Sequence, residues 1–115
     1  MFTARSLARL YAALGSDDGV DGVQIWSPST RRRATEAQSH RRDRVVPVKV
    51  GWRLGYHQPF PRTRTSPRSF GFYGAYGSGA FADPDRQLAV GLVVQEAQGL
   101  PLNRLVPRIL DAADA

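Results

Sequence analysis

The stretch Arg68–Val94, RSFGFYGAYGSGAFADPDRQLAVGLVV, decides the fold of this chain. Ser69 to Tyr73 and Ser78 to Asp83 read as short strands on either side of a glycine-rich turn. Asp83-Pro84-Asp85-Arg86 then places aspartate and proline at the first two positions favoured in a type I turn. Leu88 to Val94, LAVGLVV, is apolar on both faces, the pattern of a central strand covered on both sides. Three strands joined by two tight turns run in antiparallel succession. Glycines beside a strand let a backbone approach a ligand closely, although a tight turn needs them whatever the ligand.

Working outward, Val48, Val50, Trp52, Leu54 and Tyr56 alternate with Lys49, Gly51, Arg53, Gly55 and His57, the period of a further strand. His57 to Pro67 carries three prolines and reads as a loop, and Ser39 to Pro47 as a polar one. Near the N-terminus Leu7, Leu10, Tyr11 and Leu14 make one helical stripe. Thr3 suits its N-cap, Phe2 a staple onto Leu7, and Gly15 its C-terminal cap. That segment carries arginines and no acid before Asp17, a composition transit peptides share, but a domain helix is the favoured reading. After a short apolar piece at Val23 to Trp26, Ser27-Pro28 opens a basic helix to about Gln38. Helical spacing returns at Leu102, Leu105, Val106, Ile109 and Leu110, with Pro107 inside it as a kink or a late start. The expectation is one α+β domain over residues 1–115, an antiparallel sheet of about four strands flanked by helices.

The 115 residues include no cysteine, which removes disulfides, thiolate nucleophiles and thiolate metal sites. No run approaches the ~18 consecutive apolar residues of a membrane span, so no membrane partner is expected and a cytoplasmic location is the expectation. Net charge is +6, and Arg31 to Arg68 holds eleven bases against Glu36 and Asp43. Such an excess attracts phosphates or acidic surfaces, or is simply a solvated arginine-rich face. Aromatics are not interleaved with these arginines as a nucleic-acid stacking platform requires, so nucleic acid is not the expected partner.

Several sharper chemistries fail. Gly77-Ser78-Gly79-Ala80-Phe81-Ala82 fits the dinucleotide pattern G-x-G-x-x-A, but Pro84 and a turn follow where a helix would be needed. No serine has glycines two residues away on both sides, so there is no nucleophile elbow. His40 and His57 lie in or beside loops and show no metal-ligand spacing, and His57 reads as a solvated strand end. No metal and no cofactor is expected.

Three segments, in order, resemble the serine β-lactamase-like hydrolases, the penicillin-recognising group that includes esterases, class C β-lactamases and D-alanyl carboxypeptidase-like members. They are TARSLARLYAALGSDDGVDGVQIWSPST, VGWRLGYHQ and SFGFYGAYGSGAFADPDRQLAVGLVV. The likeness covers nearly the whole chain and corresponds to the C-terminal portion of the family domain, so it implies a partial β-lactamase-like fold. In that family a helix supplies S-x-x-K, a Y-x-N tyrosine assists proton transfer, and a third motif, K-T-G or H-x-G, lines the opposite wall. The resemblance places Phe72-Tyr73-Gly74 at the third motif, the oxyanion-binding N–H at Ala75, and the substrate-wall turn at Gly77 and Ser78. Phe72 stands where the family has a cation or a hydrogen-bonding histidine, so the motif is degenerate.

The other two motifs are absent from these residues. The single lysine, Lys49, follows Val46 at three residues, and the single asparagine, Asn103, follows Pro101 at two. Losing one oxyanion donor lowers a rate roughly 10²–10³-fold, whereas losing the serine nucleophile lowers it on the order of 10⁶-fold. The resemblance therefore implies a C-terminal fragment of a serine hydrolase that is inactive alone. A small acyl substrate is its partner only together with a missing N-terminal half. In the family's sheet the last strand pairs with an N-terminal one, so self-association through Leu88 to Val94 is a further expectation. Two rival readings are a basic binding module for nucleic acid or an acidic protein, built on Arg31 to Arg68, and a small independent enzyme using His57.

Overall fold

Three strands, β1 (Phe70–Tyr73), β2 (Gly79–Asp83) and β3 (Leu88–Leu92), pair antiparallel in the order β1-β2-β3. The structure is a computed structural model that describes residues 1–46, 48–96 and 102–115. Pro47, at the end of the expected polar loop, lies outside them. Phe72 stands opposite Ala80, Phe81 opposite Val90, and Ala82 opposite Ala89. The second turn of the meander closes as a single 3-10 turn at Pro84–Arg86, with Gln87 left-handed at φ 51°.

The pleat sends alternate residues to opposite faces, and the two faces differ in size. One presents Phe70, Ala80, Ala82 and Ala89, packed against Tyr11 and Leu14 of helix α1 (Ala4–Gly15). The other presents Tyr73, Phe81, Leu88, Val90 and Leu92, packed against Val106 and Leu110 of helix α3 (Leu102–Asp114). Phe70 and Phe81 are wholly buried, one in each cluster, and burial of such a side chain stabilises by about 1.5–3 kcal/mol. The small face lets α1 lie almost on the strands. A Cβ at Gly91 would sit 2.6 Å from the Ala4 carbonyl oxygen, and one at Gly15 would sit 3.0 Å from the Ala82 Cβ.

Helix α1 starts as its sequence predicts: the Ser6 N–H donates to Thr3 Oγ1 at 3.1 Å and the Thr3 N–H to Ser6 Oγ at 3.0 Å, a reciprocal cap. Its end differs from expectation. Gly15 is the last helical residue rather than a left-handed cap, and the extended Ser16 follows. The final carbonyls are satisfied from a distance, Leu14 by the Trp26 indole N–H at 2.9 Å and Gly15 by Arg31 Nη1 at 2.7 Å. Between them Asp21 and Gly22, at φ 52° and 76°, turn the chain so that Val20 and Val23 exchange both backbone hydrogen bonds. Helix α2 (Pro28–Thr35) begins with Ser27 Oγ accepting the Thr30 N–H at 3.1 Å.

The expected strand at Val48 to His57 does not form. Gly51 and Gly55 take φ of 70° and 81°, which no extended strand contains, and the Arg53 N–H closes a turn on the Tyr56 carbonyl at 2.8 Å. Leu54 is 56 % exposed at its tip. Single bridges replace a ladder, Trp52 facing both Ser39 and His57, and His57 facing Gly71. The Asp43 carboxylate anchors this loop by accepting from the Val45 and Val46 N–H groups and from the Trp52 indole, which hold its carboxyl below the usual carboxylate range. The described sheet therefore has three strands rather than about four. Leu88–Leu92 is its edge rather than a central strand, because cover on both faces does not require a partner on both sides.

Candidate functional site

The hairpin between β1 and β2 carries the residues that the family resemblance assigns to the site, Phe72 to Ala75 with Gly77 and Ser78. The Gly74 N–H donates to the Ser78 carbonyl at 2.9 Å and the Gly77 N–H to the Gly74 carbonyl at 3.0 Å, with Gly77 at φ 104°. This is a three-residue loop, Ala75-Tyr76-Gly77, whose last residue needs a left-handed backbone. Gly77 is thus explained by the turn. Gly74 is not: its φ is ordinary, and an added Cβ would meet only the Ser78 carbonyl oxygen, at 3.4 Å. Ser78 is structural as well as adjacent, since its Oγ accepts the Val94 N–H at 3.0 Å and ties down the end of β3.

Phe72 and Tyr73 point to opposite faces. Phe72 lies on the side of Phe70 but beyond the cover of the aromatic cluster, 49 % exposed, with Ala75 and Tyr76 exposed beside it. The Ala75 N–H takes part in no hydrogen bond among the described residues. Tyr73 turns inward onto Phe81, and its hydroxyl is buried without a hydrogen-bond partner. Burial raises its pKa well above that of free tyrosine, so it holds its proton throughout the physiological range. Tyr73 is a packing residue; the outward surface of the motif is Phe72, Gly74 and Ala75.

His57 is not the solvated strand end that its sequence position suggests. It is 5 % exposed, and its backbone exchanges hydrogen bonds with Gly71 at 2.9 and 3.0 Å. Its Nε2 accepts the Tyr73 N–H at 3.3 Å, and its Nδ1 lies 2.9 Å from the Gln58 carbonyl, which makes Nδ1 the protonated nitrogen. Backbone and ring together stand in for the missing fourth strand along β1. Burial is the main cause that lowers its pKa, opposed by the bond to Gln58 and reinforced by the Arg53 charge. With both ring nitrogens engaged, His57 has no free position for acid–base work.

Most bases of the Arg31–Arg68 segment are exposed, as a solvated face would be, and two, Arg31 and Arg53, are turned inward. Arg31 bonds the Gly15 carbonyl and Asp17, and Arg53 bonds the carbonyls of Thr35, Pro67 and Ser69. Arg64 pairs with Asp111 of α3 and Arg68 with Asp85. Nothing in the sequence pattern separates Arg31 and Arg53 from the solvated arginines around them, because their acceptors are mostly backbone carbonyls far away in the chain. Among the described residues no group of three His, Cys, Asp or Glu is placed to hold a metal ion, and no helix is long and apolar enough to cross a membrane.

A helix-covered antiparallel sheet with a glycine hairpin at the end of β1 is a mixed architecture of the β-lactamase-like hydrolase class. The chain belongs to the Beta-lactamase family, whose model matches residues 1–114. It is 36% identical over 95 residues to Esterase/beta-lactamase LipL of Mycobacterium tuberculosis, a match covering 79% of this chain and 21% of that protein. Among solved structures it superposes on a penicillin-binding protein homolog from Caulobacter crescentus with a TM-score of 0.83 at 30% identity, covering 96% of this chain and 32% of that one. A family VIII carboxylesterase gives a TM-score of 0.81 at 26% identity, covering 97% and 31%. The chain thus spans a third or less of the length of these relatives.

Proposed function

We propose that Phe72–Ser78 forms one wall of an acyl-transfer site for esters, β-lactams or D-alanyl peptides, and that these 115 residues do not turn over such substrates alone. In this reading Gly74 leaves room for the acyl group, and the Ala75 N–H donates to the oxyanion. The serine nucleophile and its lysine come from residues outside these 115. The observation that carries the reading is Gly74, whose missing side chain the hairpin itself does not require. Phe72 offers neither a charge nor a hydrogen bond, so its contribution is apolar contact with the substrate, and small acyl esters fit it better than a substrate carboxylate.

The test has two arms. The purified chain is assayed with p-nitrophenyl butyrate and nitrocefin, and no turnover above buffer is expected. It is then mixed with the complementary portion of LipL carrying that protein's nucleophile, and esterase activity is expected to appear and to be lost with Gly74→Val. Turnover by the chain alone, or restored activity indifferent to Gly74→Val, overturns the reading.

A further inference from the structure

A basic cleft lies apart from the hairpin residues. It has a volume of about 570 Å³, and its lining includes Arg32, His40, Arg53, Arg62 and Arg68, with Glu36 as the one acid. Arg68 has a counter-charge in Asp85. The other three arginines have none among the described residues. Arg53 is 7 % exposed, and its donors reach only backbone carbonyls, of Thr35, Pro67 and Ser69. Its Nε is buried without any partner. Arg62 donates through Nε to Gln58 Oε1 at 3.0 Å, and its Nη2 lies 3.2 Å from His40 Nδ1, neither of them a carboxylate. Arg32 is exposed in the last turn of α2, and among the described residues neither it nor Glu36 forms an ion pair.

Burying a guanidinium without a carboxylate is expensive, and a second one nearby makes it more so. Burial first, and then the charge of Arg62, lower the affinity of Arg53 for its proton. Three positive charges facing one acid across an open cleft favour an anion, and planar guanidinium forks suit the oxygens of a phosphate. We propose that the cleft between α2 and the Gln58–Pro67 loop binds a phosphate group, free or as a phosphomonoester, through Arg32, Arg53 and Arg62. The site is independent of the acyl-hydrolase reading, since it uses none of the hairpin residues.

The test is calorimetric titration of the purified chain with inorganic phosphate and, separately, with phenyl phosphate. Saturable binding of one anion per chain is expected. Arg62→Gln and Arg32→Gln are each expected to weaken it about tenfold, the loss of one charge-assisted hydrogen bond. Arg44→Gln, exposed and away from the cleft lining, is expected to leave it within about twofold. Equal binding of the two probes identifies the free anion as sufficient, and tighter phenyl phosphate identifies an organic phosphate. Arg32 is exposed, so its variant keeps the test valid if Arg62→Gln unfolds. Absence of saturable binding, or equal weakening by Arg44→Gln and Arg32→Gln, overturns the site.

Discussion

At the scale of single residues, two glycines three positions apart separate structure from chemistry. Gly77 holds φ 104°, so Gly77→Ala is expected to lower the unfolding free energy by about 1–2 kcal/mol in urea titration. Gly74→Ala is expected to change it by under about 0.5 kcal/mol, because the new Cβ has 3.4 Å of clearance. A large loss from Gly74→Ala would return both glycines to the turn and remove the support for a substrate wall. His57 yields a prediction in pH. Its folded pKa lies below the free value of 6.5, so the unfolded chain binds its proton more readily. The stabilisation that neutral His57 supplies is complete above pH 6.5 and is lost as pH falls through the folded pKa. His57→Ala is expected to destabilise the chain by about 2–3 kcal/mol at pH 7.5 and to flatten that part of the pH profile. An unchanged slope on the acid side of pH 6.5 would show that His57 is not the group responsible. The hairpin residues were legible because a glycine turn is encoded within five residues. The role of His57 was not, because it depends on Gly71 and Tyr73 lying alongside.

Among the elements, α1, α2 and the three strands follow their local signals, and the failures follow from glycine backbone conformations and from pairing. Val48 to His57 alternates over ten residues, yet Gly51 and Gly55 fold it into turns; alternation reports side-chain chemistry and is silent on the sign of φ. Asp21-Gly22 is the reverse case, a short turn signal that the sequence does carry and that lies outside the apolar-period pattern. Gly91 shows why one sheet face is made of small residues. It looks like a weak point in LAVGLVV, but it is where the α1 backbone crosses β3. Gly91→Ala would place a Cβ 2.6 Å from the Ala4 carbonyl oxygen and 2.9 Å from the Ala8 nitrogen. Neither backbone atom can move without lifting the helix. The expected loss is about 1–3 kcal/mol by thermal or urea unfolding, although alanine has the higher intrinsic β-propensity. A neutral or stabilising Gly91→Ala would mean that α1 does not rest on β3.

For the whole molecule, the sheet is covered on both faces and open along one edge. β1 has His57, paired with its Gly71, on its outer side, whereas β3 has no partner strand on its outer side among the described residues. All five of its residues are half-buried, so the strand is apolar, ordered by α1 and α3, and ready to pair. An edge of that kind is a template for another strand, and nothing about it resembles the charged or bulged edges that discourage pairing. Ion pairs do not change this: Arg64–Asp111 and Arg86–Asp114 hold α3 in place at the surface, where such pairs contribute little. We therefore expect the chain to self-associate through Leu88 to Val94. Sedimentation equilibrium should show a weight-average mass that falls on dilution. Val93 is 45 % exposed just beyond β3, so Val93→Lys puts a charge at the edge without disturbing either core. It should raise the dissociation constant about tenfold, or about 1.4 kcal/mol, while leaving monomer unfolding nearly unchanged. A wild-type chain that stays monomeric at every concentration and unfolds sharply and reversibly would show that α1 and α3 alone stabilise the sheet, edge included. In that event the β3 edge would be tolerated as it stands, and complementation of the acyl site would need contacts elsewhere on the molecule.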